Sequence, residues 1–533
     1  MPRRFNTAGP CLPEEHYMIP PEERLPQVRQ LIAEKFFFTI HAPRQTGKTT
    51  LLNHLSRTLV AEGKYAALTI SLECFTDVAE SGEVMPQLLK ELSMAAEYEL
   101  PDDLRPPPIS EFIVQPLIAL KGYLSAWSAS IKLPLVLFLD EIDSVTGPVL
   151  ISILRQLRDG YTRRPRPFPQ SVALVGLRDV RDYRLQVRAD VETLGTSSPF
   201  NIKVESLSIG NFTREEVERL LAQHTKETGQ PFEPDATAEI FRQTNGQPWL
   251  VNALANQLTT HYDALVKDRT APVQREHVLK TREILIERRD THLDSLVHRL
   301  QEEQRIKRVI QPILTGDAAT DPTYDDDFSY TRGLGLVTID QAGLYRIANP
   351  IYAEIISRVL TQQMQTSIPA TPDWYVGADG TLDMMKLIRG FLDFWRENGE
   401  ILLQAPYQEA APHLVFMAWL QRIVNSGGRV DREFALGAGR ADLVVRYGER
   451  GAQKEIIELK IARGPKTVED GVGQVSRYAR RLGIARGYLV VFPGKAPSPR
   501  ERDNEIEERE ADGVTVVIAR VAQPDAREQV GLE

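Results

Sequence analysis

The chain has 533 residues, a hydrophobic content of 42% and a formal net charge of −9. This length predicts roughly three or four domains, and the acidic balance argues against a protein that coats nucleic acid through its overall charge. No apolar run approaches the roughly 20 residues that span a bilayer, and the amino terminus has no apolar signal segment. The two cysteines, Cys11 and Cys74, lack metal-ligand spacing. We therefore expect a cytoplasmic protein without membrane partners.

The first 24 residues are rich in proline and charge and predict an arm that leads into the first domain. A helix is predicted over 25–35, followed by an apolar strand that begins at Phe36. The next eight residues, APRQTGKT at 42–49, match the phosphate-loop pattern G-x-x-x-x-G-K-[ST] except that Ala42 replaces the first glycine. Leucines then recur at helical spacing, so the octet lies between a strand and a helix.

This loop pattern binds phosphate for a physical reason. Consecutive backbone N–H groups and a helix N-terminus form a concave anion site. Gly47 lets the backbone approach the phosphates, Lys48 contacts the β- and γ-phosphates, and Thr49 holds Mg²⁺. A lysine at an ordinary strand-to-helix turn is the alternative. The predicted nucleotide-binding residues of the loop are Pro43, Arg44, Gln45, Thr46, Gly47, Lys48, Thr49 and Thr50.

Further strands are predicted at 65–72, 135–139 and 171–176, with helices near 85–97, 111–130 and 149–157 between them. This alternation is typical of a parallel sheet covered by helices. The strand at 135–139 runs into acidic residues, at the strand end where open α/β sheets bind ligands. We predict that Asp140 binds magnesium, that Glu141 activates water, and that Asp143 is structural. A solvated acidic turn is the alternative.

Arg178 follows the strand at 171–176 and could sense the γ-phosphate. The surrounding segment, 155–188, is rich in arginine. Such a face could bind a partner's phosphates or could equally be a solvated face with salt bridges.

Residues 213–266 are predicted to be helical, with Gly246 ending one helix and Pro248 beginning the next. A helix over 292–314 and a hairpin over 326–347 precede a helix at 350–360, an order that suggests a winged-helix module. Because this stretch is not strongly basic, we expect it to pack rather than to read DNA. The polar segment 361–380 is predicted to be a linker that cannot bury a core.

The carboxyl-terminal part contains two predicted adjacent strands, at 439–445 and 455–460. Glu458 and Lys460 are two residues apart on the second strand and therefore share a face of the sheet. Asp442 lies 16 residues before Glu458, and a hairpin would bring the two together. Asp442, Glu458 and the carbonyl of Leu459 could hold Mg²⁺, while Lys460 orients or deprotonates the attacking water. Alternating charge on an amphipathic strand is the alternative.

Three more residues fit this chemistry. Glu409 begins a helix predicted over 406–424 and could add a third metal ligand. Gln474 and Tyr478 are one helical turn apart and share a face. Strands at 487–492 and 513–520 complete the predicted sheet.

The amino-terminal two thirds resembles the AAA-like and STAND-type P-loop ATPases, including the archaeal-ATPase group. The resemblance lies in HAPRQTGKTTLL at 41–52, LVLFLDEID at 135–143, Arg178, and NGQPWL at 245–250, which looks like the G-x-P motif of that class. It implies a P-loop domain, a helical lid, a winged helix, ATP with Mg²⁺, and Pro248 as a nucleotide contact. Ala42 is the departure from the pattern.

Residues 382–521 resemble the PD-(D/E)XK nuclease superfamily. Asp442, Glu458 and Lys460 match its core, and Gln474 and Tyr478 look like its accessory Q-x-x-x-Y element. The resemblance implies a restriction-endonuclease-like α/β domain that is catalytically intact and uses Mg²⁺ or Mn²⁺. Fusions of this kind resemble prokaryotic defence or mobile-element proteins.

The sequence thus predicts a multidomain α/β protein in which ATP controls a DNA endonuclease, with DNA favoured over RNA as the nucleic-acid partner. A homo-oligomer or an unknown protein trigger is a further possible partner. One alternative is a signalling or scaffold ATPase whose last domain binds nucleic acid without cutting it; another is a DNA-binding regulator that uses the winged helix. The predicted domains are an arm (1–24), a P-loop core (25–205), a helical lid (206–270), a winged-helix-like module (271–362), a linker (363–381) and a nuclease-like domain (382–533).

Overall fold

The computed structural model divides the chain into two compact units. One contains Met1–Leu285 with Arg332–Gly335, and the other contains Ile286–Thr331 with Leu336–Glu533. The structure describes residues 3–76, 78, 80–145, 147–177, 203–288, 291–314, 326–339, 343, 345–367, 374–377, 379–403, 411–424, 428–432, 443–448, 452–462, 464, 466–493 and 504–522. Within these ranges, no helix is long and apolar enough to cross a membrane.

A five-stranded parallel sheet forms the centre of the first unit. Its strands lie in the order β2-β3-β4-β1-β5, and their bounds are β1 Phe37–His41, β2 Ala66–Ser71, β3 Leu135–Asp140, β4 Ser171–Gly176 and β5 Lys203–Ser208. The helices before and between the first four strands are α1 Pro21–Arg24, α2 Gln27–Ala33, α3 Lys48–Ala61, α4 Ser81–Glu99, α5 Pro116–Ser130 and α6 Gly147–Thr162. The predicted alternation of strands and helices in a parallel sheet is confirmed.

Helices cover both faces of this sheet, which explains why its strands are almost continuously apolar. Alternate strand residues point to opposite faces. Phe37, Leu137 and Leu174 belong to the cluster that contains residues of α4, α5 and α6. Phe38, Phe138 and Val175 belong to the cluster on the side of α2 and α3. The sheet therefore holds the loop after β1 and the acidic end of β3 between two packed layers.

A group of helices follows the sheet, with bounds α7 Arg214–Thr228, α8 Pro234–Thr244, α9 Pro248–Asn256, α10 Asp263–Lys267 and α11 Arg275–Arg288. Helix α7 begins with a capping box between Thr213 and Glu216. The predicted break at Gly246 and start at Pro248 is confirmed by the bounds of α8 and α9. Gly246 has φ +69°, and a Cβ there would lie 1.9 Å from the carbonyl oxygen of Phe212, so only glycine fits.

The second unit combines helices with a six-stranded mixed sheet. Its first elements are α12 Thr291–Glu302, α13 Gln304–Leu314, α14 Asp326–Gly333, the antiparallel pair β6 Val337–Ile339 and β7 Tyr345–Ile347, and α15 Pro350–Ser367. Its sheet has the order β12-β13-β11-β10-β9-β8. The remaining bounds are α16 Met384–Leu403, α17 Ala411–Val424, β8 Gly428–Arg432, β9 Leu443–Tyr447, β10 Gln453–Ile461, α18 Lys466–Leu482, β11 Arg486–Phe492, β12 Glu505–Ala511 and β13 Val514–Arg520.

Strand β10 is the junction of this sheet. It pairs antiparallel with β9 and parallel with β11, and α18 makes the connection between the two parallel strands. Strand β12 forms one edge and carries five charged residues among its seven, a composition that discourages pairing with another chain.

Two sequence predictions in this unit need correction. The hairpin predicted over 326–347 is wrong at its start, because Asp326–Gly333 is a helix and only the two short strands after it pair. The segment predicted to be a linker that cannot bury a core begins inside α15, and Tyr375 within it is 1% exposed. Its neighbour Trp374 packs against Gly390 of α16. An aromatic pair can therefore pack within a segment whose average composition is polar.

Candidate functional site

The loop between β1 and α3 has the backbone geometry of a phosphate-binding loop. Gly47 lies directly before α3 with φ +94°, and Gln45 also has a positive φ of +59°. The Nζ of Lys48 donates hydrogen bonds to the carbonyl oxygens of Ala42 (2.9 Å) and Pro43 (3.1 Å). The loop thus turns back on itself directly before the N-terminus of α3, a position where anions are favoured.

The departure at Ala42 fits this geometry. The side chain of Ala42 is buried in the apolar cluster on the side of α3, while its carbonyl oxygen receives the Lys48 hydrogen bond. A methyl group at this position therefore fills space in the core rather than entering the loop. The structure gives no steric reason for the alanine to prevent phosphate binding.

Arg24 fixes the outer side of the loop, a role that the sequence did not reveal. Its Nη1 donates to the carbonyl oxygen of Thr46 at 2.8 Å, and its Nη2 donates to that of Gly210. The guanidinium also lies 4.8 Å from the ring centre of Phe212. Burial lowers the pKa of Arg24 from its ordinary value. The loop is thereby tied to the segment that follows β5.

Asp140 and Thr49 lie together beside the loop. The hydroxyl of Thr49 donates to Oδ2 of Asp140 at 2.8 Å, and the backbone N–H of Glu141 donates to Oδ1 at 2.9 Å. Asp140 is 2% exposed, and burial raises its pKa. A hydroxyl and a carboxylate within hydrogen-bond distance supply the hard oxygen ligands that Mg²⁺ prefers. These two residues fit a magnesium ion bound beside the loop.

Glu141 is half-buried and has the left-handed φ of +54°. Burial raises the pKa of its carboxyl group, while the nearby Lys48 lowers it. A raised pKa makes a carboxylate a better acceptor of a proton from water. Asp143 has the structural role predicted for it, because its Oδ1 accepts a hydrogen bond from the backbone N–H of Leu177 at 3.0 Å.

A cavity of about 400 Å³ lies against the loop, a size typical of small-molecule sites. Arg44, Gln45, Thr46, Gly47, Lys48, Thr49, Thr50, Glu141 and Pro248, all predicted from the sequence, line it. The predicted residues Pro43 and Asp140 lie beside it through the contacts of Lys48 and Thr49. Sequence reasoning missed the arm residues that line it, at 6–11, 17–19, 21 and 24, and, among others, Ile209, Phe212, Trp249 and Asn252. Trp249 lies in the NGQPWL motif at 245–250, next to the predicted Pro248, whereas no local motif marks the others, which folding brings to the cavity.

The second predicted site lies on β10. The Nζ of Lys460 and Oε1 of Glu458 are 2.9 Å apart, and Glu458 is 2% exposed. Both residues alternate with Ile456 on one face of the strand, and Ile456 belongs to the core under α18. The prediction that the carboxylate and the amine share a face is confirmed.

Helix α18 carries Gln474 and Tyr478. Tyr478 belongs to the same core cluster as Ile456, and Oε1 of Gln474 is buried without a hydrogen-bond partner among the described residues. The helix therefore covers the face of β10 that holds Glu458. Leu443 of β9 pairs with Ile457, directly beside Glu458 in the chain.

Three predicted residues, Arg178, Glu409 and Asp442, lie outside the described residues. Within the described part of the chain, no group of three or more His, Cys, Asp or Glu side chains converges as a metal site. Two of the three carboxylates proposed for a metal at β10 are thus beyond what the structure describes. Glu458 alone supplies a described carboxylate there.

Comparison with solved structures returns several similar proteins. A Walker-type ATPase of Pyrococcus abyssi is 13% identical, with 66% of this chain and 99% of that chain covered and a TM-score of 0.47. Cdc6p of Pyrobaculum aerophilum is 13% identical (64% and 94% covered, TM-score 0.35). The Holliday junction branch migration motor RuvB of Thermotoga maritima is 15% identical (63% and 92%, TM-score 0.31). With TM-scores below 0.5, these likenesses add nothing to the assignment of this chain.

No curated protein matches the chain significantly. The model of one protein family, described as the AAA-like domain, matches residues 17–354, which is more than half of the 533 residues. That span contains the loop at 42–49, the acidic end of β3 and the helices α7 to α11. The chain therefore belongs to the AAA-like domain family.

Proposed function

We propose that this protein binds and hydrolyses ATP and that its nucleotide state regulates a Mg²⁺-dependent DNA endonuclease in the carboxyl-terminal unit. The observation that carries the first half is the Thr49–Asp140 contact of 2.8 Å beside a glycine-containing phosphate loop. The observation that carries the second half is the buried Glu458 paired with Lys460 at 2.9 Å.

At the first site, the loop amides and Lys48 bind the phosphates of ATP, and Thr49 and Asp140 hold Mg²⁺. When bound, Mg²⁺ supplies positive charge against the β- and γ-phosphates. Glu141 accepts a proton from the attacking water, a role that its raised pKa supports. The cavity beside the loop receives the rest of the nucleotide.

At the second site, Glu458 contributes a carboxylate to a Mg²⁺ site that Asp442 and Glu409 complete. When bound, Mg²⁺ polarises the scissile phosphate and lowers the pKa of water. The ammonium of Lys460 orients the water and stabilises negative charge that develops on the phosphate. Gln474 and Tyr478 position this region from α18. We propose prokaryotic defence as the biological setting. This part of the proposal rests on the combination of the two sites in one chain.

A cleavage assay on the full-length protein tests this proposal. Plasmid DNA is incubated with Mg²⁺, with and without ATP, and the rate of strand cleavage is measured. We expect cleavage whose rate depends on ATP. Replacing Glu458 by glutamine should lower the rate at least about a hundredfold, because an essential charge of the reacting centre is lost.

Glu455 provides a matched control on the same strand. It is a half-buried glutamate three residues away, and the alternation of the strand places it on the opposite face of the sheet from Glu458. Glu455→Gln should therefore cleave at the wild-type rate. Equal cleavage by Glu458→Gln and wild type would show that the site assignment is wrong. Binding of DNA without any cleavage would favour the scaffold alternative.

A further inference from the structure

Residues 6–11, Asn-Thr-Ala-Gly-Pro-Cys, form a compact turn that we call the strap segment. The side chain of Asn6 holds the turn together: its Oδ1 accepts from the N–H of Ala8 at 3.2 Å, and its Nδ2 donates to the carbonyl oxygen of Gly9 at 3.0 Å. Gly9 has φ +68°, which suits glycine. The strap segment precedes the family-matched region, which begins at residue 17.

Two hydrogen bonds connect the strap segment to different sides of the nucleotide cavity. The backbone N–H of Cys11 donates to Oγ1 of Thr50, in the first turn of α3, at 3.0 Å. The indole Nε1 of Trp249, in α9, donates to the carbonyl oxygen of Thr7 at 2.9 Å. The strap segment thus joins the phosphate-loop helix to the helices that follow the sheet.

The residues on either side of the strap segment are also fixed to these helices. Arg3 forms hydrogen bonds with Glu227 through its backbone N–H (2.7 Å) and its Nε (3.1 Å). The backbone of Met18 both donates to and accepts from the side-chain amide of Gln223. Both partners belong to α7. The segment is therefore held at both ends while all six of its residues line the cavity.

We propose that the strap segment is part of the nucleotide site and closes over the base and ribose of a bound purine nucleoside triphosphate. Its six residues carry no charge, which suits the uncharged end of a nucleotide, whereas residues 43–50 take the phosphates. Through Thr50 and Trp249 it also links nucleotide binding to the position of α9. This inference rests on the proposed ATP binding.

The two cysteines of the chain provide a direct test. Cys11 lies in the strap segment, and the exposed Cys74 does not line that cavity, so Cys74 serves as an internal control. The full-length protein is treated with a thiol-alkylating reagent with and without ATP and Mg²⁺, and modification of each cysteine is followed by mass spectrometry. Each thiol is compared with itself, so differences in their pKa cancel.

At ATP concentrations near 100 times the dissociation constant, alkylation of Cys11 should fall at least about tenfold, because only nucleotide-free protein reacts. Alkylation of Cys74 should stay within about twofold. ATP binding is measured by equilibrium dialysis on the same sample. If ATP binds and Cys11 reacts at an unchanged rate, the strap inference is wrong. If dialysis detects no ATP binding, the proposed function itself fails.

A pair of tryptophan variants gives a second test. Trp249→Phe keeps an aromatic ring but removes the hydrogen bond to Thr7, so the protection of Cys11 by ATP should weaken about threefold. Trp127→Phe removes an equivalent hydrogen bond, from Nε1 to the carbonyl oxygen of Leu104 at 2.9 Å, away from the cavity lining. It should keep the wild-type protection. Equal protection in the two variants would contradict a link through Trp249.

Discussion

At the scale of single residues, the nucleotide site contains charged side chains whose burial is unfavourable unless they have partners of opposite charge. Lys48 is 5% exposed, and burial lowers its pKa, while the carboxylates of Glu141 and Asp140 raise it. A buried ammonium needs such partners or an anionic ligand. ATP phosphates would add negative charge directly beside it. A bound anionic ligand would therefore stabilise the charged form of Lys48.

Substituting Lys48 or Glu141 should separate nucleotide binding from hydrolysis. Lys48→Ala removes the phosphate cation, so ATP affinity should fall at least about tenfold. Glu141→Gln keeps the shape but not the base, so ATP should bind normally while hydrolysis slows at least about a hundredfold. Equilibrium dialysis and phosphate release measure the two quantities. Lys64→Ala, at a 72% exposed side chain, serves as the control and should match wild type in both.

Unchanged hydrolysis in both Lys48→Ala and Glu141→Gln would show that this site is not an ATPase centre. A loss of hydrolysis in the Lys64 control would indicate a general defect in the variants instead. The control can separate these two outcomes because Lys64 does not line the cavity.

At the scale of elements, the break between α8 and α9 depends on one glycine. Gly246 has φ +69° and faces the carbonyl of Phe212, whereas Gly229, at the end of α7, has φ +80° with nothing within 4 Å of its Cβ position. A substitution at either position has the backbone cost of a left-handed residue, but only at Gly246 would the new Cβ also clash with Phe212. The two positions therefore separate backbone strain from steric conflict.

We expect Gly246→Ala to lower the free energy of unfolding more than Gly229→Ala does. In each variant the left-handed backbone should lower the free energy of unfolding by about 1–2 kcal/mol. Gly246→Ala should lower it further, because Phe212 must move. Thermal unfolding of the full chain gives the comparison. Equal losses would mean that the segment at Phe212 yields easily and does not fix the start of α9.

A buried carboxylate also joins α8 to α11. Glu239 is 3% exposed and lies 2.6 Å from Arg242 and 3.1 Å from Arg275. Burial alone would raise its pKa, but hydrogen bonds from Arg242, Gln243 and Arg275 outweigh burial and hold the pKa at about 2. The interaction is therefore present in its charged form throughout the neutral range.

This depressed pKa predicts how stability depends on pH. The folded pKa of Glu239 lies below the ordinary value of 4.5, so its contribution is complete above pH 4.5 and is lost as the pH falls toward 2. Thermal unfolding of wild type and Glu239→Gln should differ most above pH 4.5 and converge below it. Glu218→Gln, at an exposed pair with Arg214, should show little difference at any pH. A constant difference across this range would contradict the role of the charge.

At the scale of the whole molecule, the chain contains two compact units, one built on a parallel sheet and the other on a mixed sheet. The AAA-like region ends at residue 354, and the six-stranded mixed sheet lies entirely beyond it. With a net charge of −9, any binding of DNA must use local basic surface rather than the protein as a whole. The cleavage assay with and without ATP is the direct measure of whether the two units act together.

The sequence by itself determined the features that depend on neighbours in the chain. The phosphate loop, the acidic end of β3, the break at Gly246 and the shared face of Glu458 and Lys460 all follow from short spacing, because backbone geometry fixes where nearby residues point. The sequence did not predict the helix at 326–333 or the burial of Tyr375, since tertiary packing outweighs local composition at both places.

Only the tertiary structure decided which distant residues complete the nucleotide site. Arg24 reaches Thr46 and Gly210, and Thr7 meets Trp249 across 242 positions of sequence. No sequence pattern in the arm or in α9 predicts that the two are in contact, because a hydrogen bond between distant segments depends on how the sheet and helices pack. The sequence predicted an arm rich in proline and charge that leads into the first domain, and in the folded chain residues 6–11 of that arm line the cavity.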